Sequence, residues 1–235
     1  MGLRIPNHLG VILDGNRRWA KKRNLSPWEG HRAGAKKLQE FLEWCLEAGI
    51  PTVSIYTLST ENLNRPKKEL TEIFKIFEEY IDGLIDKREN FSILEKYEVK
   101  IRFVGELNSL PRPLLRAMYK VMEKTAKYQK RILNFLVAYG GKSELVNAFK
   151  KVAAEVIKKG KIEIREKDIE RNLYVPTPLD LIIRTGGYQR LSNFLLWQAS
   201  YAEIYVTKTL WPDFSKKEFM KILKWYSRQK RNFGR

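Results

Sequence analysis

A single cysteine, Cys45, occurs among 235 residues, so no disulfide can close within the chain and a cysteine-rich metal site is excluded. Cys45 sits in the apolar helical pattern Phe41 to Leu46, where a thiol ordinarily fills core. Histidine is almost as scarce, with only His8 and His31. No zinc motif and no Ser-His-Asp constellation is recognisable. No uninterrupted apolar run reaches the ~18 residues of a membrane-spanning helix. Met1 to Pro6 lack the apolar stretch of a signal peptide, and the expected setting is the reducing cytoplasm. Repeats, low-complexity tracts and Pro/Gly-rich linkers are also absent, so one domain over residues 1–235 is the simplest organisation. Acid is in short supply. Forty-five Lys and Arg face 27 Asp and Glu, giving a net charge of +18 and a pI near 9.9. That balance favours anionic partners: nucleic acid, phosphorylated small molecules or an acidic membrane surface. Lysine pairs such as Lys67-Lys68 and Lys158-Lys159 read equally well as solvated surface.

What is present is enough to build a core. Hydrophobic residues make up 43% and aromatics 12%, which argues against disorder. Strand-length apolar runs alternate with amphipathic helical segments. Strands are expected at His8 to Leu13, Thr52 to Leu58, Val99 to Val104, Ile132 to Ala138 and Leu179 to Ile183, with a short sixth at Ile204 to Val206. Helices are expected over Glu29 to Ala48, from Pro66 onward, over Pro111 to Lys130, over Lys142 to Lys159, and from Ser215. The Pro66 helix would bury Leu70, Ile73, Phe74, Phe77, Ile81 and Leu84. Ser215 and Glu218 have the spacing of a capping box. The alternation predicts an α/β domain with a mainly parallel six-stranded sheet flanked by helices. Ligands of such sheets bind at the carboxyl ends of the strands.

The residues after the strands are therefore the candidates. Asp14-Gly15-Asn16-Arg17-Arg18 offers a carboxylate, a tight turn, a helix cap at Asn16 and two phosphate-matching forks. An ordinary Asp-Gly turn into a basic helix fits the same residues. Ser59-Thr60-Glu61-Asn62 and Arg65 form a dense polar segment that also suits a plain loop and helix cap. Gly140-Gly141 reads as a turn. Arg184-Thr185-Gly186-Gly187 with Arg190 and Ser192 makes a good oxyanion receptor, and Arg184 starts at the sheet edge. Glu203 lies among aromatic and apolar residues and needs a cationic partner if buried. His8 reads as structural. His31 has a suspected anion site for a neighbour. Two basic receptors and one or two carboxylates suit a reaction between two diphosphates with Mg²⁺.

Taken together, these segments resemble the cis-prenyltransferases, the undecaprenyl and dehydrodolichyl diphosphate synthase family. The matching residues are His8 to Ala20, Gly30-His31-Arg32-Ala33-Gly34, Tyr56 to Asn62 with Arg65-Pro66, Asp180 to Gly187 leading into Arg190 to Gln198, Tyr201-Ala202-Glu203, and Leu210 to Phe214. They span nearly the whole chain in one order, in a pattern similar to archaeal members. The resemblance implies an apolar tunnel for a growing chain. It implies Mg²⁺ on Asp14, with Glu203 completing the metal site across a homodimer interface. Asp14, Asn16 and Asn62 would be catalytic. Gly15, Arg17, Arg18, Trp19, His31, Ser59, Thr60, Glu61 and Arg65 would bind substrate, and Arg184, Arg190 and Ser192 would hold isopentenyl diphosphate. The product would be a long-chain polyprenyl diphosphate built on an allylic starter, farnesyl or geranylgeranyl diphosphate. The lipid product implies peripheral contact with the inner face of the membrane and no nucleic-acid partner.

The chain departs from the family pattern at several places. Pro27 stands where many members have Arg, Leu63 where many have Trp, Tyr188 where the family has Glu, and Ala138 and Lys142 flank the Tyr-Gly-Gly segment in place of Asn and Arg. The Arg-x-Gly ending is replaced by Asn232-Phe233-Gly234, with Arg231 one place earlier. Two other readings are a non-catalytic subunit of a two-chain prenyltransferase and a basic nucleic-acid-binding protein. The first is disfavoured because Asp14, Arg184 and Arg190 are kept. Against the second, no RNA-recognition signature or helix-turn-helix is recognisable.

Overall fold

The computed structural model describes residues 3–160 and 162–230. Strands β1 (His8–Ile12), β2 (Thr52–Ser59), β3 (Val99–Val104), β4 (Arg131–Tyr139), β5 (Leu181–Arg184) and β6 (Glu203–Val206) form one sheet in the order β3-β4-β2-β1-β5-β6. Every pairing is parallel. Period-two alternation sorts the side chains onto two faces. Leu9, Val11, Leu181, Ile183, Leu133 and Val137 point into the larger core, while Ile12, Ile182 and Leu136 point into a second core with Phe194 and Leu195. The expected strand start at Leu179 moves to Leu181, because the Asp180 carboxylate accepts from the backbone N–H of Asn7 (2.8 Å) and His8 (3.1 Å).

The helices are α1 (Asn16–Lys21), α2 (Pro27–Glu47), α3 (Lys67–Asp86), α4 (Arg88–Lys96), α5 (Arg112–Thr125), α6 (Gly141–Lys159), α7 (Glu166–Glu170) and α8 (Lys216–Ser227). The short α4 and α7 were not expected. Pro27, not Glu29, starts α2, where the N-cap Ser26 and Glu29 complete a capping box. The box expected at Ser215 is only half made. Ser215 Oγ accepts from the Glu218 N–H, but the Glu218 carboxylate takes the hydroxyls of Thr207 and Thr209. Leu70, Phe74, Phe77 and Leu84 are half-buried, not buried as expected. Phe77 and Leu84 face a cavity between α3 and the sheet.

Asn16 does not cap α1, contrary to expectation. Gly15 (φ 120°) holds that position, and Asn16 is the first helical residue. The reason is close packing of α1 on α2. A Cβ on Gly30 would lie 2.2 Å from the Asn16 carbonyl oxygen, and one on Gly34 2.5 Å from Asn16 Oδ1. Two glycines one turn apart thus let α2 press against the start of α1. Gly30→Ala is expected to cost about 2 kcal/mol of unfolding free energy through overpacking, readable by urea denaturation.

His8 is structural, as expected. Its Nε2 lies 2.7 Å from Ser54 Oγ, and its Nδ1 faces the carbonyls of Thr177 and Pro178. Burial disfavours the imidazolium and drops its pKa from 6.5 to about 4. The unfolded chain therefore binds a proton in that interval which the folded chain refuses. Stability from this site is complete above pH 6.5 and is lost as pH falls toward 4. Between pH 6.5 and 4.5, His8 should account for a loss of roughly 2 kcal/mol. Urea denaturation of His8→Asn should show a correspondingly shallower acid-side decline.

Candidate active site

Register sets the site. Ile12, the last residue of β1, pairs with Arg184, the last of β5. Asp14 therefore leaves the sheet beside the Arg184 side chain. Asp14 Oδ2 lies 2.9 Å from Arg184 Nη2, and Oδ1 lies 3.0 Å from Arg18 Nη2. Thr185 fixes the Asp14 backbone, its hydroxyl donating to the Asp14 carbonyl (2.8 Å) and accepting from the Asp14 N–H (3.0 Å). Arg184, 4% exposed, donates from Nη1 to Ser192 Oγ (2.8 Å) and to the Arg190 carbonyl. Its Nε is buried without a hydrogen-bond partner among the described residues. Arg18 also donates to the Gly186 carbonyl at 2.7 Å. Ser192 and Asn193 occupy the left-handed region (φ 51° and 66°), a conformation held by the contacts around them.

A second cationic group stands across the same opening. Glu69, in the first turn of α3 and 5% exposed, lies 3.2 Å from Arg65 Nη1, 3.3 Å from His31 Nε2 and 3.6 Å from Arg17 Nε. Burial and the guanidinium groups of Arg65 and Arg17 outweigh the Glu69 carboxylate and lower the His31 pKa to about 4, so His31 is neutral at pH 7. Glu69 is not among the site residues expected from the sequence. The missed signal is its i,i+4 spacing from Arg65 on the face that also buries Ile73 and Ile76.

Between and below these groups runs a cavity of about 330 Å³. Its polar walls are Asp14, Asn16, His31, Ser59, Asn62, Arg65, Arg184 and Ser192. Its apolar walls come from mid-strand residues, from Leu38 and Leu42 of α2, and from Ile73, Ile76, Phe77, Tyr80, Ile81 and Leu84 of α3. A more polar cavity of about 660 Å³ shares Asp14, Asn16, His31 and Arg65 with it and adds Gly15, Arg17, Arg18 and Tyr188. A third, of about 180 Å³, shares Gln39, Leu42, Leu84 and Phe135. The expected apolar tunnel is thus a run of cavities with shared walls, polar at one end and greasy along α2 and α3.

The other expected site residues are less central. Ser59 Oγ accepts from the Asn62 N–H (3.2 Å), while Asn62 Oδ1 faces the Ser59 N–H (3.4 Å). Glu61 accepts from Asn193 Nδ2 at 3.0 Å, and Thr60 packs near Gly140. Trp19 turns aside to donate to Asp213 (2.7 Å) and lines none of these cavities. Gly140 and Gly141 seat the loop after β5, since a Cβ on either would run into Asn193 or Leu196. Glu203 starts β6 level with Leu181, three residues and roughly 10 Å down the sheet from Arg184. One chain therefore does not bring Glu203 to Asp14, and no group of three or more metal-ligating residues occurs among the described residues. Arg231 and Asn232 to Gly234 lie outside the described residues.

Cations gathered at a parallel-sheet rim above an apolar channel define a site for an anionic head and a greasy tail. The comparisons agree. The family model of undecaprenyl diphosphate synthase, a prenyltransferase model, matches residues 12–234. The tritrans,polycis-undecaprenyl-diphosphate synthase (geranylgeranyl-diphosphate specific) of Methanopyrus kandleri is 44% identical, covering 99% of this chain and 86% of that protein. The isoprenyl transferase of Thermotoga maritima is 40% identical over 99% of this chain and 98% of that one. Among solved structures, lavandulyl diphosphate synthase from Lavandula x intermedia, in complex with dimethylallyl diphosphate, superposes with a TM-score of 0.88 at 31% identity (98% and 99% coverage). A probable undecaprenyl diphosphate synthase from Campylobacter jejuni gives 0.79 at 35% identity (99% and 100%). The chain belongs to the undecaprenyl diphosphate synthase family. It is a cis-prenyltransferase, condensing isoprenoid units onto an allylic diphosphate.

Glu69→Gln removes the carboxylate that raises the His31 pKa, so His31 should titrate below its wild-type value in an NMR titration. Leaving Arg65 without its anion should also cost about 3 kcal/mol of stability.

Proposed function

We propose that this enzyme adds isopentenyl diphosphate repeatedly to farnesyl or geranylgeranyl diphosphate. Each addition forms a Z double bond, and the long-chain polyprenyl diphosphate is a precursor of a glycosyl carrier lipid. One catalytic domain spans residues 1–235. The observation that carries this reading is the bridging of Arg18 and Arg184 by Asp14 at the mouth of an apolar cavity. Gly15, Arg17, Arg18, His31 and Arg65 bind the allylic diphosphate. Arg184, Arg190 and Ser192 bind isopentenyl diphosphate. The apolar walls of α2 and α3 take the growing chain.

The guanidinium groups stabilise negative charge as the C–O bond to the allylic diphosphate breaks. The isopentenyl double bond attacks the allylic carbon and forms the new C–C bond. Loss of a proton then completes the alkene. With the His31 pKa near 4, the leaving diphosphate is the better proton acceptor. Holding both substrates side by side supplies much of the rate. Asn62 and Ser59, on the polar wall, orient the reacting ends.

Mg²⁺ fits this rim as an ion shared between protein and substrate. Asp14 offers a carboxylate, and Asn16 Oδ1 in the same wall is buried without a hydrogen-bond partner among the described residues. Such hard oxygen donors, few in number, suit an ion that keeps waters and phosphate oxygens. When bound, Mg²⁺ would offset diphosphate charge. The homodimer forms along the edge strand β6, where Ile204 is half-exposed, and it delivers Glu203 to the second copy. The enzyme works in the cytoplasm. Among the described residues no helix is long and apolar enough to cross a membrane, so the lipid product and the basic surface give peripheral contact only.

Two variants test the assignment with radiolabelled isopentenyl diphosphate. Asp14→Asn should lower turnover about 10³-fold in protein that still folds by circular dichroism, with a lowered melting temperature because Arg184 loses its anion. Wild-type turnover would defeat the role given to Asp14. Arg190→Ala should chiefly raise KM for isopentenyl diphosphate. An effect confined to the allylic substrate would mean that the two diphosphate sites are exchanged.

A further inference from the structure

Tyr188 occupies the loop after β5 at the position where the family pattern has Glu. Three guanidinium groups converge on its ring. Arg190 Cζ lies 4.2 Å from the centroid, Arg18 Cζ 4.7 Å and Arg184 Cζ 5.8 Å. They arrive from three segments: α1, the end of β5, and the loop itself. The loop is shaped for this. Gly186 and Gly187 have φ values of +81° and +82°, and their N–H groups donate to the carbonyls of Thr209 and Thr207 (2.8 Å each). Gly186 suits this turn because its φ of +81° is strained for any side chain, and a Cβ there would also crowd Arg18 Nη2 and the Asp14 carbonyl.

Asp14 is the carboxylate partner of Arg18 and Arg184, and among the described residues Arg190 has no ion pair. Three like charges held this close to one carboxylate need another source of attraction, and a ring face supplies it. The ring brings no formal negative charge to meet an incoming diphosphate. A carboxylate at the same place would hold the guanidinium groups more strongly and would also oppose the substrate. The Tyr188 hydroxyl makes no hydrogen bond among the described residues, so the face and not the hydroxyl makes these contacts.

We propose that Tyr188 is a positioning residue: its ring face gathers Arg18, Arg184 and Arg190 so that both diphosphate sites are assembled before substrate arrives. This rests on the diphosphate reading of the site. The test is calorimetric titration with inorganic pyrophosphate and Mg²⁺, alongside steady-state kinetics, for wild type, Tyr188→Phe and Tyr188→Leu. Tyr188→Leu, which fills similar space without a ring, should weaken pyrophosphate binding roughly tenfold. It should also raise KM for isopentenyl diphosphate more than it lowers kcat, with the melting temperature retained. Tyr188→Phe should recover wild-type affinity. Wild-type affinity in Tyr188→Leu, or a loss in Tyr188→Phe equal to that in Tyr188→Leu, would overturn the role of the ring face while leaving the diphosphate reading standing. If wild type itself bound no pyrophosphate, the diphosphate reading would fall and this inference with it.

Discussion

The site depends on one ion pair, Asp14 with Arg184. Arg184 is almost fully buried, and a guanidinium there is tolerable only beside an anion. Once Asp14 holds it from one side, its second nitrogen fixes the Ser192 hydroxyl and the Arg190 carbonyl on the other. That pins a loop whose Ser192 and Asn193 sit in a conformation that costs energy by itself. The same carboxylate turns its other oxygen to Arg18 and so ties α1 to the loop after β5. Such a pair contributes little net stability over an apolar replacement. Its consequence is geometric, because it sets where the neighbouring cations stand.

The apolar half of the site follows from a different economy of packing. Helix α3 presents Ile73, Ile76, Phe77, Tyr80, Ile81 and Leu84 on one stripe, yet several of these are only half-buried. A stripe that reads as core and is not filled by facing side chains leaves a greasy void. Protein interiors are ordinarily close-packed. An apolar channel continuous with a cationic rim is therefore a cost of folding that binding a greasy substrate offsets.

Much of this was legible in the sequence. Strand-length apolar runs located all six strands, and the strand-end rule led directly to Asp14 and Arg184. Polar segments with no periodicity, such as Ser59 to Arg65, were placed at the rim because only loops bring such groups there. Two features were hidden. Glu69 was not singled out, because its burial depends on Arg17 and His31 from distant segments. Asn16 looked like a cap, because the Gly30–Gly34 contact that draws it into the helix is tertiary. Each case turns on which remote element packs nearby, which local pattern does not encode.

A net charge of +18 does not by itself identify an anion-binding site, since most of it lies on solvated lysines. What matters is the local surplus. Arg17, Arg18, Arg65 and Arg184 line the opening and Arg190 stands on the Tyr188 ring beside it, and among the described residues only Asp14 and Glu69 form ion pairs with them there. His31 stays neutral and does not enlarge the repulsion. A structural salt-bridge cluster would be close to charge balance, because unpaired buried charge is costly. Here several guanidinium groups remain uncompensated where the walls begin to turn apolar and the effective dielectric falls. That imbalance is stabilising only once anions arrive, and it favours ligands that carry dense negative charge on a greasy chain.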